Sequence, residues 1–279
     1  MTKAVLTLNA GSSSLKVALF PVSGDKPMAT ALADRIGPDG HLVLKGPSGL
    51  PLEAAPGDLS SHASALARVI EGFRVDFPDL ELLAVGHRIV HGGDKYEAPV
   101  IVTPEVVAEL ERLSPFAPLH QPHNLAGIDA ASEAFPGVPQ IACFDTAFHR
   151  SHPWVNDAFA LPRDLYDKGV RRYGFHGLSY DYVAGELKNR APHLFEGRVV
   201  IAHLGNGASM CAVENGRSVA STMGFSALDG LPMGTRCGQL DGEHGVVGRV
   251  EAHTHVSARQ EVGETPRCVV LSRSIVMAV

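Results

Sequence analysis

Two arginines stand in glycine-rich, apolar frames where an isolated positive charge is costly. Arg88 lies in Gly86-His87-Arg88-Ile89-Val90-His91-Gly92-Gly93, and Arg236 in Met233-Gly234-Thr235-Arg236-Cys237-Gly238. A guanidinium in such surroundings needs an anion, and its planar fork suits a carboxylate or a phosphate. One such arginine is most simply paired with a structural carboxylate; two favour a bound anion. Two small-residue turns offer matching chemistry. Asn9-Ala10-Gly11-Ser12-Ser13-Ser14 and Gly205-Asn206-Gly207 each separate apolar runs. Turns of this composition leave backbone N–H groups uncovered, and such groups converge on phosphate oxygens. A plain tight hairpin explains either turn alone. The pair, with Lys16 two residues past the serines, puts phosphate binding on an equal footing. The sequence holds no GxxxxGK[ST] run, which excludes a Walker-type loop.

Asp145 ends an apolar run in Cys143-Phe144-Asp145-Thr146. An acid there can hold a metal-bound water or orient a nucleophile, or it can simply make an Asx turn. His176, in Tyr173-Gly174-Phe175-His176-Gly177, can donate a hydrogen bond to developing charge. A core histidine bonded to backbone is the commoner role. His87 and His91 are four apart, and His120 and His123 three apart. The first pair spans β-branched Ile89-Val90 and runs into two glycines, so it is off-helix. With no cysteine cluster, structural zinc is disfavoured. Neither a GxSxG elbow nor a basic–aromatic nucleic-acid pattern is present.

The elements that must position these groups alternate between strand and helix. Val5 to Leu8 and Leu15 to Phe20 read as strands around the first turn, and residues 37 to 59 as turns between short edge strands. Ser61 to Phe73 reads as a helix capped by Ser60 or Ser61. Leu82 to Val90 is a strand carrying Arg88. Thr103-Pro104-Glu105 starts a helix, and another runs from about Asn124 to Phe135. Val138 to Phe144 is a strand delivering Asp145. Leu178 to Arg190 is a helix, and Arg198 to Leu204 is a strand ending at the second turn. This order gives an α/β class. LTLNAGSSSLKVALF and VIAHLGNGASMCAV share one plan, strand, small turn, strand. A duplicated fold with halves facing across a cleft is expected.

The chain has 279 residues, 45% hydrophobic, enough for one large or two smaller cores. A net charge of -6 without long charge runs argues against broad binding to nucleic acid or anionic membrane. No signal peptide and no membrane-length apolar run is read. Four cysteines without a CxxC pair read as reduced thiols in a cytoplasmic protein.

Taken together, the segments resemble the acetate kinase family, within the acetate and sugar kinase, Hsc70 and actin superfamily. LTLNAGSSSLKVALF and YGFHGLSY resemble its two signatures. GHRIVHGG, APLHQPHN, FDTAFH, IAHLGNGAS and STMGFSALDGLPMGTRCGQLD match further blocks in order, covering residues 3 to 241. The resemblance implies an α/β, duplicated actin-like (ribonuclease H-like) fold with a central cleft. Residues 1–150 would form the first domain, 151–241 an incomplete second, and 242–279 a divergent tail with little helical or alternating pattern.

It implies a reversible transfer of the ATP phosphoryl group to acetate. Asn9 would help bind Mg²⁺ (or Mn²⁺). Ser12, Ser14 and Lys16, with His203, Leu204, Gly205, Asn206 and Gly207, would meet the ATP or ADP phosphates. Arg88 would bind the substrate carboxylate, with Val90, Leu119 and Phe175 around its methyl group. Asp145 would be the active-site acid, and His176 and Arg236 would stabilise the transition state. The resemblance also implies a homodimer. Propionate or butyrate kinase is the neighbouring reading, and a non-catalytic remnant a third. Family members are longer. The adenosine pocket, a Mg²⁺-binding glutamate and closing C-terminal elements would lie beyond Asp241, so little kinase activity is expected of this chain.

Overall fold

The computed structural model describes residues 2–46, 48–49, 51–52, 57–234, 236–239, 268–271 and 274–278. They form two compact units: Met1–His91 with Ala98–Cys143, and Gly92–Glu97 with the chain from Phe144 onward.

The first unit contains strands β1 (Thr2–Ala10), β2 (Ser14–Pro21), β3 (Ala29–Asp34), β4 (His41–Lys45) and β5 (Pro51–Leu52), then helix α1 (His62–Asp76). It continues with β6 (Leu80–Ile89), β7 (Val100–Ile101), α2 (Pro104–Arg112), α3 (Gln121–Ala134) and β8 (Gln140–Phe144). Eight strands make one sheet in the order β5-β4-β3-β2-β1-β6-β8-β7. β1 runs antiparallel to β2 and parallel to β6. Alternation sends Ala4, Leu6 and Leu8 of β1 and Leu15, Val17 and Leu19 of β2 into the core. There they meet Ala65, Leu66, Val69 and Phe73 of α1. The other face carries Asn9, which pairs in register with Lys16. Leu8 registers with His87 on β6, so Arg88 follows on the same side as Asn9. Three candidates thus share one face of three adjacent strands because the apolar period of two holds on each.

Local signals explain the ends. Ser61 caps α1, and Ser64 answers it in a reciprocal box. Thr103 caps α2 with proline in its first turn. α3 starts at Gln121, three residues earlier than expected, because Pro122 fits where a missing N–H costs nothing. β3 had no sequence reading. Its alanines are weak strand formers, and pairing of Ala31 and Ala33 with Val17 and Leu15 decides the matter.

The second unit contains helices α4 (Trp154–Asp157), α5 (Arg163–Asp167), α6 (Gly177–Arg190) and α7 (Pro192–Phe195). Its strands are β9 (Arg198–Leu204), β10 (Ala208–Glu214), β11 (Arg217–Ser221), β12 (Cys268–Leu271) and β13 (Ser274–Ala278). Their order is β11-β10-β9-β13-β12. Tyr180, Val183, Ala184 and Leu187 give α6 an apolar stripe, buried with Val199 and Ile201 of β9 and Cys211 and Val213 of β10. β10 turns into β11 through Asn215-Gly216, both at positive φ (51° and 72°). Asn-Gly between strands is a strong hairpin signal.

Residues 268–271 and 274–278 are strands, with β13 antiparallel to β9. Val269-Val270-Leu271 and Ile275-Val276-Met277 are continuous β-favouring runs, which a search for alternation overlooks. The rest of 242–279 lies outside the described residues. The two echoing segments do form matching hairpins, β1–β2 and β9–β10.

Candidate active site

The candidates fall into two sets, one in each unit. In the first, an Arg88 Nη1 donates to Asn9 Oδ1 at 3.4 Å. The adjoining turn closes through Gly11 N–H to the Ser14 carbonyl, 2.8 Å. His62 Nε2 on α1 bonds the Gly11 carbonyl at 2.7 Å, and Ile36 N–H donates to the Ser13 carbonyl. The backbone of the turn is therefore pinned, while Ser12 stays exposed and Ser14 half-buried. Asn124, expected as a helix start, instead lies buried inside α3. Its Nδ2 donates to the Ala10 carbonyl at 2.8 Å and its Oδ1 accepts from Val90 N–H at 2.9 Å. One amide thus locks the chain just before the turn to the chain just after Arg88. Val90 is buried, whereas Leu119 is 69% exposed.

In the second unit Asp145, the residue after β8, is buried. Its carbonyl accepts from Gly177 N–H at 2.8 Å. A Cβ on Gly177 would sit 2.2 Å from that carbonyl oxygen, so only glycine lets α6 start here. His176 occupies the N-cap position with φ 60°. A left-handed non-glycine residue costs roughly 1–2 kcal/mol, and such strain gathers at functional positions. The strain aims the ring. His176 Nδ1 lies 2.8 Å from Ser209 Oγ, and the ring stacks on His203 with centroids 4.2 Å apart. His203 Nδ1 is in turn held by Ser179 Oγ at 2.8 Å.

Both Nε2 atoms border the Gly205-Asn206-Gly207 turn. An atom in the Cβ direction from Gly207 would be 3.1 Å from His176 Nε2 and 3.5 Å from an Arg236 Nη1; one on Gly205 would be 3.2 Å from His203 Nε2. Arg236 is steadied by donating to the Ala227 carbonyl at 2.9 Å. An imidazole nitrogen and a guanidinium thus border one small space over a glycine, as an anionic oxygen requires. Among the described residues no three His, Cys, Asp or Glu side chains converge as a metal site.

A buried network supports this set from behind. His149 Nε2 donates to the Phe175 carbonyl at 2.9 Å, which leaves Nδ1 to accept from Ser218 Oγ at 2.8 Å. Ser218 is also bonded by His152 Nε2 at 2.8 Å and lies 3.1 Å from Cys211 Sγ. Burial, then the neighbouring His152, push the His149 pKa down to about 3; burial, then Arg150, push His152 to about 4. Both rings are neutral in the folded unit and protonate below about pH 6.5 when unfolded. Stability is therefore present above pH 6.5 and falls as pH drops from there towards 3–4, because the unfolded chain binds more protons. Each histidine contributes a slope approaching about 1.4 kcal/mol per pH unit. Urea titrations followed by Trp154 fluorescence at pH 7, 6 and 5 should show this slope, and His149→Gln should remove one proton's share. An unchanged slope in that variant would refute it.

The sequence reading missed Asn124 as a lock, His149 as a backbone support, and Ser179, Ser209 and Tyr180 as ring anchors. A buried serine on a strand carries no periodic signal, so only packing exposes it.

The description of the acetokinase family matches residues 4–265 of this chain. The chain belongs to the acetokinase family. That match runs beyond Asp241, where resemblance had been expected to stop. The acetate kinase of Methylocella silvestris is 56% identical over 253 residues, covering 86% of this chain and 63% of that protein. A crystal structure of Porphyromonas gingivalis acetate kinase superposes with a TM-score of 0.78 at 38% identity. It covers 86% of this chain and 62% of that one. A propionate kinase from Francisella tularensis also gives 0.78, at 33% identity. This acetokinase chain therefore spans a little over three-fifths of the length of the relatives it matches, and it shares their α/β, actin-like fold over that part.

Proposed function

We propose that this acetokinase chain carries the machinery for phosphoryl transfer between ATP and acetate. The observation that carries the reading is the space over Gly207, bordered by His176 Nε2 and Arg236. A carboxylate approaching a phosphate meets like charge, so catalysis rests on neutralisation and in-line positioning. Arg236 and His176 would hold equatorial phosphoryl oxygens, and the Gly205–Gly207 turn the nucleotide phosphates. Arg88 would hold the carboxylate, with Val90, Leu119 and Phe175 contributing to methyl recognition. Ser12, Ser14 and Lys16 would contact phosphate, and Asp145 would act as the acid.

Mg²⁺ fits the chemistry of the donors present. Asn9 offers a hard amide oxygen, and Mg²⁺ takes few protein ligands beside water and phosphate. When bound it would neutralise phosphate charge. A cytoplasmic setting follows from the thiol usage, and homodimerisation from the family. Binding separates the carboxylate role from the phosphate role, so it is the sharper test.

Titration of ¹³C-acetate by NMR line broadening should give saturable binding. Arg88→Ala should weaken it about tenfold or more, as expected for a charged hydrogen bond. Arg236→Ala should leave acetate binding unchanged and weaken inorganic phosphate instead. Loss of neither ligand in its matched variant would count against the assignment. Propionate is the second reading, favoured by the equal structural likeness of the Francisella enzyme. One methylene is worth only about 1–3 kcal/mol, so the same titration with propionate separates them.

A further inference from the structure

His176 can present its Nε2 either as a hydrogen-bond donor or as an acceptor, depending on where the neutral ring carries its hydrogen. The surroundings of Nδ1 bear directly on this. Ser209 is fully buried on β10, and its Oγ lies 2.8 Å from His176 Nδ1. The same Oγ is hydrogen-bonded to the hydroxyl of Tyr180, a fully buried residue on α6.

Each hydroxyl has one hydrogen to give. In one direction Tyr180 donates to Ser209, and Ser209 donates to an unprotonated Nδ1. In the other, Nδ1–H donates to Ser209 and Ser209 donates to Tyr180. The phenol hydrogen is then turned away from the serine; if Tyr180 still donates to Ser209, the serine hydrogen is the one left over, in either case in the core that holds Val183, Leu187, Val199, Ile201 and Cys211. A buried donor without an acceptor is expensive, so the first direction prevails. Burial also raises the Tyr180 phenol above its ordinary pKa, which keeps it a donor.

We propose that Ser209 and Tyr180 are positioning residues that hold neutral His176 as the Nε2–H tautomer, with a donor facing the space over Gly207. Its use in catalysis rests on the phosphoryl-transfer reading, but the tautomer does not. The ring then meets an anionic oxygen with a hydrogen rather than a lone pair, whether or not it carries a positive charge. Ser209 acts through His176 and needs no contact with substrate.

The experiment is ¹⁵N NMR of the full 279-residue chain labelled at histidine, with the His176 signals assigned by their loss in His176→Asn. Asparagine is chosen because it tolerates the left-handed backbone. At a pH where the ring is neutral, the unaltered chain should show a protonated Nε2 and an unprotonated Nδ1. Ser209→Ala and Tyr180→Phe should each produce a tautomer mixture. Tyr180→Phe keeps the ring packing, so it serves if Ser209→Ala does not fold. In Tyr180→Phe, inorganic phosphate should bind more weakly by the inverse of the remaining Nε2–H fraction, about twofold for an even mixture.

A protonated Nδ1 in the unaltered chain would overturn the proposal. So would an unchanged tautomer in the folded variants. A fixed Nε2–H with no phosphate binding by the unaltered chain would leave the relay standing and remove the phosphoryl-transfer reading instead.

Discussion

Arg236→Ala should lower acetyl phosphate formation by two to three orders of magnitude relative to the unaltered chain, about the cost of losing one preorganised donor to a developing charge. Inorganic phosphate affinity should fall about tenfold or more, since a hydrogen bond to a charged group is worth roughly 1.5–3 kcal/mol. An Arg236 Nη1 stands 3.5 Å from the position a Cβ on Gly207 would take, and His176 Nε2 stands 3.1 Å from it. The guanidinium is already tied to the Ala227 carbonyl, so little ordering is needed when an anion arrives. Arg236→Lys keeps the charge but loses the fork, and should recover only part of the loss. Folding should change little, because the side chain is half-buried and its carbonyl partner, Ala227, sits in a loop. Phosphate titration and hydroxylamine trapping of acetyl phosphate measure both effects. An Arg236→Ala protein with unchanged affinity and unchanged turnover would remove Arg236 from the site.

Two glycines on one helix should respond in opposite directions. Gly177→Ala should destabilise the second unit by about 3 kcal/mol, the upper part of the ordinary range for overpacking. The new Cβ would stand 2.2 Å from the Asp145 carbonyl oxygen and 3.0 Å from Phe148 Cβ. A backbone oxygen cannot move aside as a flexible side chain can. Easing the clash also strains the Gly177 N–H to Asp145 bond and shifts His176, the residue before it. Gly185→Ala is the control. Gly185 lies exposed within α6, and an added Cβ meets nothing within 4 Å. It should stabilise by about 0.5–1 kcal/mol, the usual helical preference for alanine over glycine. Trp154 is the sole tryptophan and belongs to this unit, so its fluorescence in urea reads both changes. Equal effects of the two substitutions would contradict the close approach at Gly177.

Much of the first unit was legible because burial is one-sided. The apolar runs within Thr2–Ala10 and Ser14–Pro21 mark both as strands, whereas the shared face of Asn9 and Lys16 shows only in their register. Caps at Ser61 and Thr103 were legible because capping is local chemistry. The Arg88 and Arg236 frames were visible because charge among glycines is anomalous. What escaped was set by contact across long sequence distances. Ala29–Asp34 became a strand through its partner, not its composition. Asn124 looks like a helix start, yet its amide joins Ala10 to Val90, both more than thirty residues earlier in the chain. Ser209 and Ser218 are ordinary serines until each is found against a histidine ring in the core.

The central claim is that the bend at Gly205-Asn206-Gly207, with His176 and Arg236, grips phosphoryl oxygens. The most direct measurement is a ¹⁵N amide titration of the whole chain with acetyl phosphate. The account predicts saturable shifts concentrated at residues 205–207 and at Gly177, strongly reduced in Arg236→Ala. Saturable shifts elsewhere with those amides silent, or no saturation at all, would contradict it.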